Sequence, residues 1–171
     1  MPTVYVYDTK DLNATDVIFF DKARVSATNK EVDTNMPKEK MLDFAMRVKK
    51  ILVLVPPQVK ASGTAKDTTV LDSIKNLIDG VITIQVGDRP VLYLPLFPAL
   101  CGVKAEGDVE YTLASAADGS YALASIGKHA GEEGLPVDFD IPANTTIDFH
   151  LKFLSAPNIS RVKVVLVGEK A

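Results

Sequence analysis

The residues that could do chemistry in this chain are few, and their spacing is unpromising. Asp138 and Asp140 alternate in "VDFDIP", which puts two carboxylates on one face of a strand. Glu132 and Glu133 precede them in a glycine-flanked loop. Such a set could bind calcium or act as a hydrolase pair. It could equally be a solvated strand edge, where charge discourages edge-to-edge pairing, and that plainer reading is preferred. The two histidines, His129 and His150, are far apart, one in a loop and one on the polar face of "TIDFHLKF". A metal centre needs three or four converging ligands, and no His-x-His pair followed by glutamate occurs. No cofactor or metal site is assigned.

Nucleophile and phosphate motifs are also missing. No G-x-S-x-G is present. "VGDRPV" has one glycine, and "ASGTAKDTT" lacks the second glycine and the Gly-Lys-Ser/Thr ending of a phosphate loop. Tyr5 and Tyr7 share a strand face and could form a small sugar platform, though an edge or partner contact is the preferred reading. There is no Trp to support the platform. Sequons stand at Asn13, Asn144 and Asn158, but no signal peptide precedes them. Cys101 is the only cysteine, so it is either a buried filler or a cross-link between copies. The chain reads as a non-enzyme.

The totals frame these absences. The 171 residues suit a single domain with a substantial core. The chain is 47% hydrophobic and 24% charged, with 19 basic against 22 acidic residues, which gives no basic surface for nucleic acid. The longest apolar run, "ILVLVPP", stops at two prolines after five residues, far short of the ~20 that span a bilayer. The protein is expected to be soluble when made.

Alternation with period two dominates. "TIDFHLKF" puts Ile147, Phe149, Leu151 and Phe153 on one face. "RVKVVLVG" aligns Val162, Val164 and Leu166, and "GVITIQVG" aligns Ile82, Ile84 and Val86. "PTVYVYD" and "DVIFFDKARVSA" are further strands. In "DFAMRVKKILVLVPP" the apolar phase changes from even (Phe44, Met46, Val48) to odd (Ile51, Val53, Val55), which predicts a β-bulge near Lys49. "VEYTLAS" and "YALASIG" suggest a hairpin about Asp118-Gly119. "NKEVDTNMPKEK", "QVKASGTAK" and "KHAGEEGLP" read as loops. In "DGVITIQVGDRPVLYLPLFPAL", Gly87-Asp88 turn between two strands, and Pro90 opens the second.

One segment departs from the β pattern. Val70, Leu71, Ile74, Leu77 and Ile78 form a helical stripe, which predicts one short α-helix over about 68–79. Asp67 or Thr68 would cap its start, and Gly80 would take the left-handed position at its end. Residues 1–171 form a single domain, mainly β: an eight-stranded jelly-roll sandwich or barrel of two antiparallel sheets. Residues 1–14 serve as an N-terminal arm or edge strand.

The order of elements carries a resemblance. A Thr-Asn-Met-Pro loop precedes the long strand "KMLDFAMRVKKILVLVP". A helix leads into the Gly-Asp-Arg hairpin with its apolar Pro-Leu exit, and "IPANTTIDFHLKF" leads to the last strand. In these features, over residues 15 to 168, the chain resembles capsid proteins of tailless icosahedral double-stranded DNA viruses with an internal membrane. It is most similar to the single-barrel branch, with its small major capsid proteins from phages of thermophilic bacteria. The stretch from Cys101 to Gly127 matches nothing in that pattern.

The resemblance implies a structural shell protein of the virion, made in the host cytoplasm. Its partners would be itself, as a dimer or higher oligomer, a second capsid protein and the underlying viral membrane, with no direct contact to nucleic acid. Candidate contact residues are Val4, Tyr5 and Tyr7 on the short terminal strand, which invites pairing at a sheet edge, and Leu96, Phe97 and Cys101 in the apolar exit. The alternative is a ligand-binding β-sandwich for carbohydrate or calcium.

Overall fold

The computed structural model describes residues 2–24, 32–56, 58–62, 69–101, 120–124 and 134–170. Among these residues eleven strands and one α-helix follow in chain order. They are β1 (Thr3–Leu12), β2 (Asp16–Phe19), β3 (Met46–Leu54), β4 (Gln58–Ser62), α1 (Thr69–Ile78), β5 (Val81–Val86), β6 (Arg89–Pro95), β7 (Leu100–Cys101), β8 (Ser120–Ala124), β9 (Leu135–Ile141), β10 (Ile147–Lys152) and β11 (Ile159–Lys170).

Eight of these strands build two facing antiparallel sheets, ordered β1-β11-β3-β9 and β2-β10-β5-β6. Counted along the chain, first pairs with eighth, second with seventh, third with sixth and fourth with fifth. That nesting is a long hairpin rolled on itself, which is the jelly roll. The mainly-β sandwich with one short helix is therefore the fold, and β7 adds two residues in parallel to β3.

The alternation sets the core. Ile147, Phe149 and Leu151 of β10, Ile82 and Ile84 of β5, and Val162, Val164 and Leu166 of β11 all point between the sheets and are buried. Phe19, Phe20 and Phe149 pack edge to face at its centre, with ring centroids 6.0 and 5.6 Å apart. Burying a side chain of this size contributes roughly 1.5–3 kcal/mol.

The bulge lies where the phase change puts it. Against β11, Val167 pairs with Lys50 and Gly168 with Val48, so Lys49 is the extra residue. Val48 and Ile51 consequently both face the core, while Leu52 turns to the outer face with Val165, Tyr7, Leu54 and Val167. Gly168 opposite the bulge sits directly on the Arg47 backbone, and no side chain fits there.

Several local expectations are corrected. The second strand stops at Phe19, because Phe20 takes a left-handed backbone (φ 62) and turns the chain out of the sheet. Gly80 is not left-handed. It is buried because Phe153 and Leu96 pack where its side chain would be. Left-handed Gly87 makes the β5–β6 turn, and Pro90 is the second residue of β6, beside a bulge. "QVKAS" is strand β4, and Leu135-Pro136 already belong to β9. Strand β8, the second half of the expected hairpin about Asp118-Gly119, pairs with β4. The remainder of that hairpin, the helix cap at Asp67 or Thr68, His129, Glu132 and Glu133 lie outside the described residues.

Within α1, Leu77 is buried and Ile78 is exposed. The helix lies in the β3–β5 connection, with β4, and β8 lies in the β6–β9 connection. The two connections meet at one end of the barrel as a small β4–β8 sheet. Asn76 on the helix donates to the Ala156 carbonyl in the β10–β11 turn at that same end. The other end holds the Gly87-Asp88 turn, the 142–146 turn and residues 36–42, tied by Gly87 N–H to Thr146 O, Asn144 N–H to Leu42 O and Ile147 N–H to Lys40 O, each 2.7 Å.

Candidate functional site

The contact residues expected from the sequence lie on the surface, so each sheet edge and exposed apolar residue counts. Strand β1 is an edge strand, not a free arm, since it pairs with β11 from Thr3 to Leu12. Its even residues face inward. Val6 is buried and Val4 packs against the core, so Val4 has little side chain to offer a neighbour. Tyr5 and Tyr7 share the outer face, as their spacing requires. Tyr5 is 57% exposed, whereas Tyr7 is half-buried beneath Lys163, whose Nζ lies 4.7 Å from the ring centroid.

The outward edge of β1 is already occupied. Asn35 accepts from Tyr7 N–H through Oδ1 (2.8 Å) and donates from Nδ2 to Tyr5 O (2.7 Å), and its own backbone N–H donates to Tyr7 O (3.2 Å). One asparagine thus imitates a neighbouring strand over two residues. Met36 beside it is fully buried and anchors the strap. Thr34 adds a bridge to Asp8 and a hydroxyl bond to Tyr7 O. This is edge protection of the kind that suppresses unplanned pairing. Sequence reasoning marked "TNMP" as a loop without its role, because an asparagine's partners at sequence distance 28 and 30 leave no local signal.

The apolar exit divides. Leu96 is fully buried, packed beside Gly80 and donating its backbone N–H to Gly80 O, so it is a core residue and not a surface contact. Phe97 opens a 3-10 turn and is 45% exposed. Cys101 pairs through its backbone with Leu54, and its side chain lies outside the described residues. Tyr93, not singled out from the sequence, is the most exposed aromatic described, at 74%. Its signal was the alternation in "VLYLP", which turns Leu92 and Leu94 toward the core and Tyr93 outward.

The charged candidates are mostly paired. Asp138 and Asp140 do share an exposed face of β9. Arg47 holds Asp138 in a two-pronged bond, both contacts 2.7 Å, and Lys49 adds a third at 2.9 Å. The Arg47 hydrogen bond, then that of Lys49, keeps the Asp138 carboxyl well below the usual range, and the Arg47 guanidinium is correspondingly raised. Asp138 thus stays ionised, with both its oxygens engaged by Arg47 and Lys49. His150 Nδ1 lies 2.7 Å from Asp16. Among the described residues no three His, Cys, Asp or Glu side chains cluster as metal ligands. Asn144 and Asn158, two of the three sequon asparagines, occupy left-handed turn positions, which asparagine tolerates.

One cleft of about 690 Å³ opens between β6 and β9, the edges at which the two sheets do not pair. Val86, Val91, Phe139 and Pro142 supply apolar lining, and Asp88, Arg89 and Asp140 supply the charge. The partly buried apolar residues that pack on the core concentrate on these two strands: Val91 and Leu92 on β6, and Leu135, Val137 and Phe139 on β9. No helix among the described residues is long and apolar enough to cross a membrane.

No protein family, curated protein or solved structure matches this chain.

Proposed function

We propose that this chain is a structural capsid protein, a single jelly roll that assembles with copies of itself and with a second capsid protein into an icosahedral shell. The observation that carries the reading is the strand order. Two four-stranded sheets nest as a jelly roll, and both long insertions gather at one end of the barrel. Such a barrel presents two sheet faces and an end closed, among the described residues, by short turns, which suits a tile in a shell. The Asn35 strap fits the same role, because a protein that packs densely needs its uncommitted edges shut. The resemblance in element order adds the virion as its place and the viral membrane as a further contact. The proposed role is structural rather than catalytic.

Sedimentation across concentration and salt, with electron microscopy of the assembled fraction, tests this. Discrete oligomers that extend into sheets or shells, alone or with a second jelly-roll protein of the same virus, are expected. A strict monomer that binds a sugar or calcium with a raised melting temperature overturns it in favour of a ligand-binding sandwich.

A further inference from the structure

We propose that Lys10 and Asp21 condense to an amide, an isopeptide cross-link between the edge of one sheet and the exit of the other, with Asp8 as the carboxyl that moves the protons. The proposal does not depend on the self-assembly argued above, and either can fail without the other.

The first observation is placement. Asp8 and Lys10 stand opposite Val164 and Val162 in the β1–β11 ladder. Directly paired residues share a sheet face, and both valines are fully buried in the core. Strand β1 therefore sends two ionisable side chains inward, into the row that Val6 begins. Across from them is β2, the edge of the other sheet, with no ladder to β1. Just past β2, Phe20 turns left-handed and donates its N–H to Asp8. The next residue is Asp21, and Lys10 Nζ is bonded to its Oδ1. One amine and two carboxyls thus meet in the seam between the sheets.

The second is seclusion. The Lys10 and Asp21 side chains are 17% and 31% exposed, which makes theirs the most covered ion pair among the described residues. In the comparable pair with Asp148, Lys40 is 37% exposed. Packing that holds an amine against a carboxyl and limits water favours condensation over hydrolysis. The third is the neighbouring acid. Asp8 is almost wholly buried, burial raises its carboxyl above the ordinary value, and the charges of Lys10 and Asp21 both act on it. A carboxyl shifted in that direction is suited to take up a proton and give it back.

The chemistry balances within the three groups. The Lys10 ammonium gives one proton, by way of Asp8, to the Asp21 carboxylate. The freed Nζ attacks Asp21 Cγ and the N–C bond forms. Asp8 takes a second proton from that nitrogen and returns it to the departing oxygen. The C–O bond breaks, and one water leaves with both protons. Nothing is oxidised or reduced, and an ion pair becomes a neutral amide. The product ties β1 to the end of β2 covalently, where no ladder joins them.

The test is denaturing mass spectrometry of the purified full chain after incubation at neutral pH. Loss of one water should leave the wild type about 18 Da lighter than its sequence. Trypsin needs a free lysine, so it should no longer cut after Lys10, and a looped peptide ending at Lys22 should appear. Lys10→Arg keeps the ion pair but brings a guanidinium that does not attack, and it should show its full mass. Asp8→Asn keeps an acceptor for Phe20 N–H but moves no proton, and its cross-linked fraction should fall at least tenfold. Unchanged circular dichroism and melting show that the variants fold. A wild type at full mass, cut normally after Lys10, overturns the proposal and leaves an ion pair only. A water loss that persists in Lys10→Arg lies elsewhere in the chain and also overturns it. A cross-link that forms equally well in Asp8→Asn overturns the part assigned to Asp8.

Discussion

The carboxylate of Asp8, on β1 and almost wholly buried, accepts the backbone N–H of Phe20 at 2.7 Å. Phe20 is itself fully buried and left-handed, and its carbonyl accepts from Lys40 N–H at 2.8 Å. That carboxylate is the partner shown for a buried N–H, and leaving such a donor unpaired in the core is expensive. Asp8 thus holds the turn by which the chain leaves the second sheet and runs to the Asn35 strap.

The Asp8 carboxyl titrates above its ordinary value. Burial raises it most, against the lowering effect of the Phe20 N–H and of Lys10. A raised carboxyl favours the folded state most below the unfolded pKa, near ~3.9, and that contribution is lost as pH rises through the folded pKa. The stability difference between wild type and Asp8→Asn should therefore shrink, or change sign, as pH rises from acid toward neutral. Urea midpoints across pH measure it, and a difference that grows with pH contradicts the assignment.

Asn35→Ala removes two side-chain bonds from the β1 edge and keeps the backbone bond to Tyr7 O. Each net bond is worth about 1 kcal/mol, so a loss of ~1–2 kcal/mol is expected. The amide of Tyr7 should exchange with solvent faster, and the variant should aggregate more readily on warming. Unaltered exchange at Tyr7 would show that the strap is held by Met36 and Thr34 alone.

Gly168→Ala places a methyl group into the backbone of Arg47 beside the bulge, with Val48 Cα 2.9 Å from the new atom. Backbone cannot rotate aside as a side chain can, so about 3 kcal/mol or more of destabilisation is expected. Gly80→Ala is a useful contrast, since its close neighbours are the side chains of Phe153 and Leu96. It should be the milder of the two in thermal denaturation.

Phe149→Ala empties the centre of the aromatic cluster with Phe19 and Phe20. The cost should be roughly 3–5 kcal/mol, and Phe149→Leu should recover much of it. Chemical denaturation followed by tyrosine fluorescence would report both. A cost below that of an ordinary surface change would place Phe149 outside the cooperative core.

Much of the fold could be read from residue order because its signals are local. Alternation at 82, 84 and 86 or at 147, 149 and 151 decides which side chains face inward, and a two-residue period leaves no freedom in that choice. The phase change about Lys49 is equally local, since an inserted residue flips every side chain beyond it. The helix and the Gly87-Asp88 turn belong to the same class. The surface was less legible. Leu96 and Phe97 are neighbours of similar character, yet one is core and the other is exposed, because the chain enters a 3-10 turn between them.

What the amino-acid order determined by itself is the set of strands and the faces they bury. Tertiary structure alone decided how those strands nest, that "QVKAS" meets residues 120–124, that Asn35 closes the β1 edge, that Arg47 takes Asp138 and so leaves Asp140, and that β6 and β9 remain apart. The physical reason is range. Periodicity acts between residues two to four apart, whereas these relationships join groups tens of residues apart, and they form only when the sheets have packed around one core.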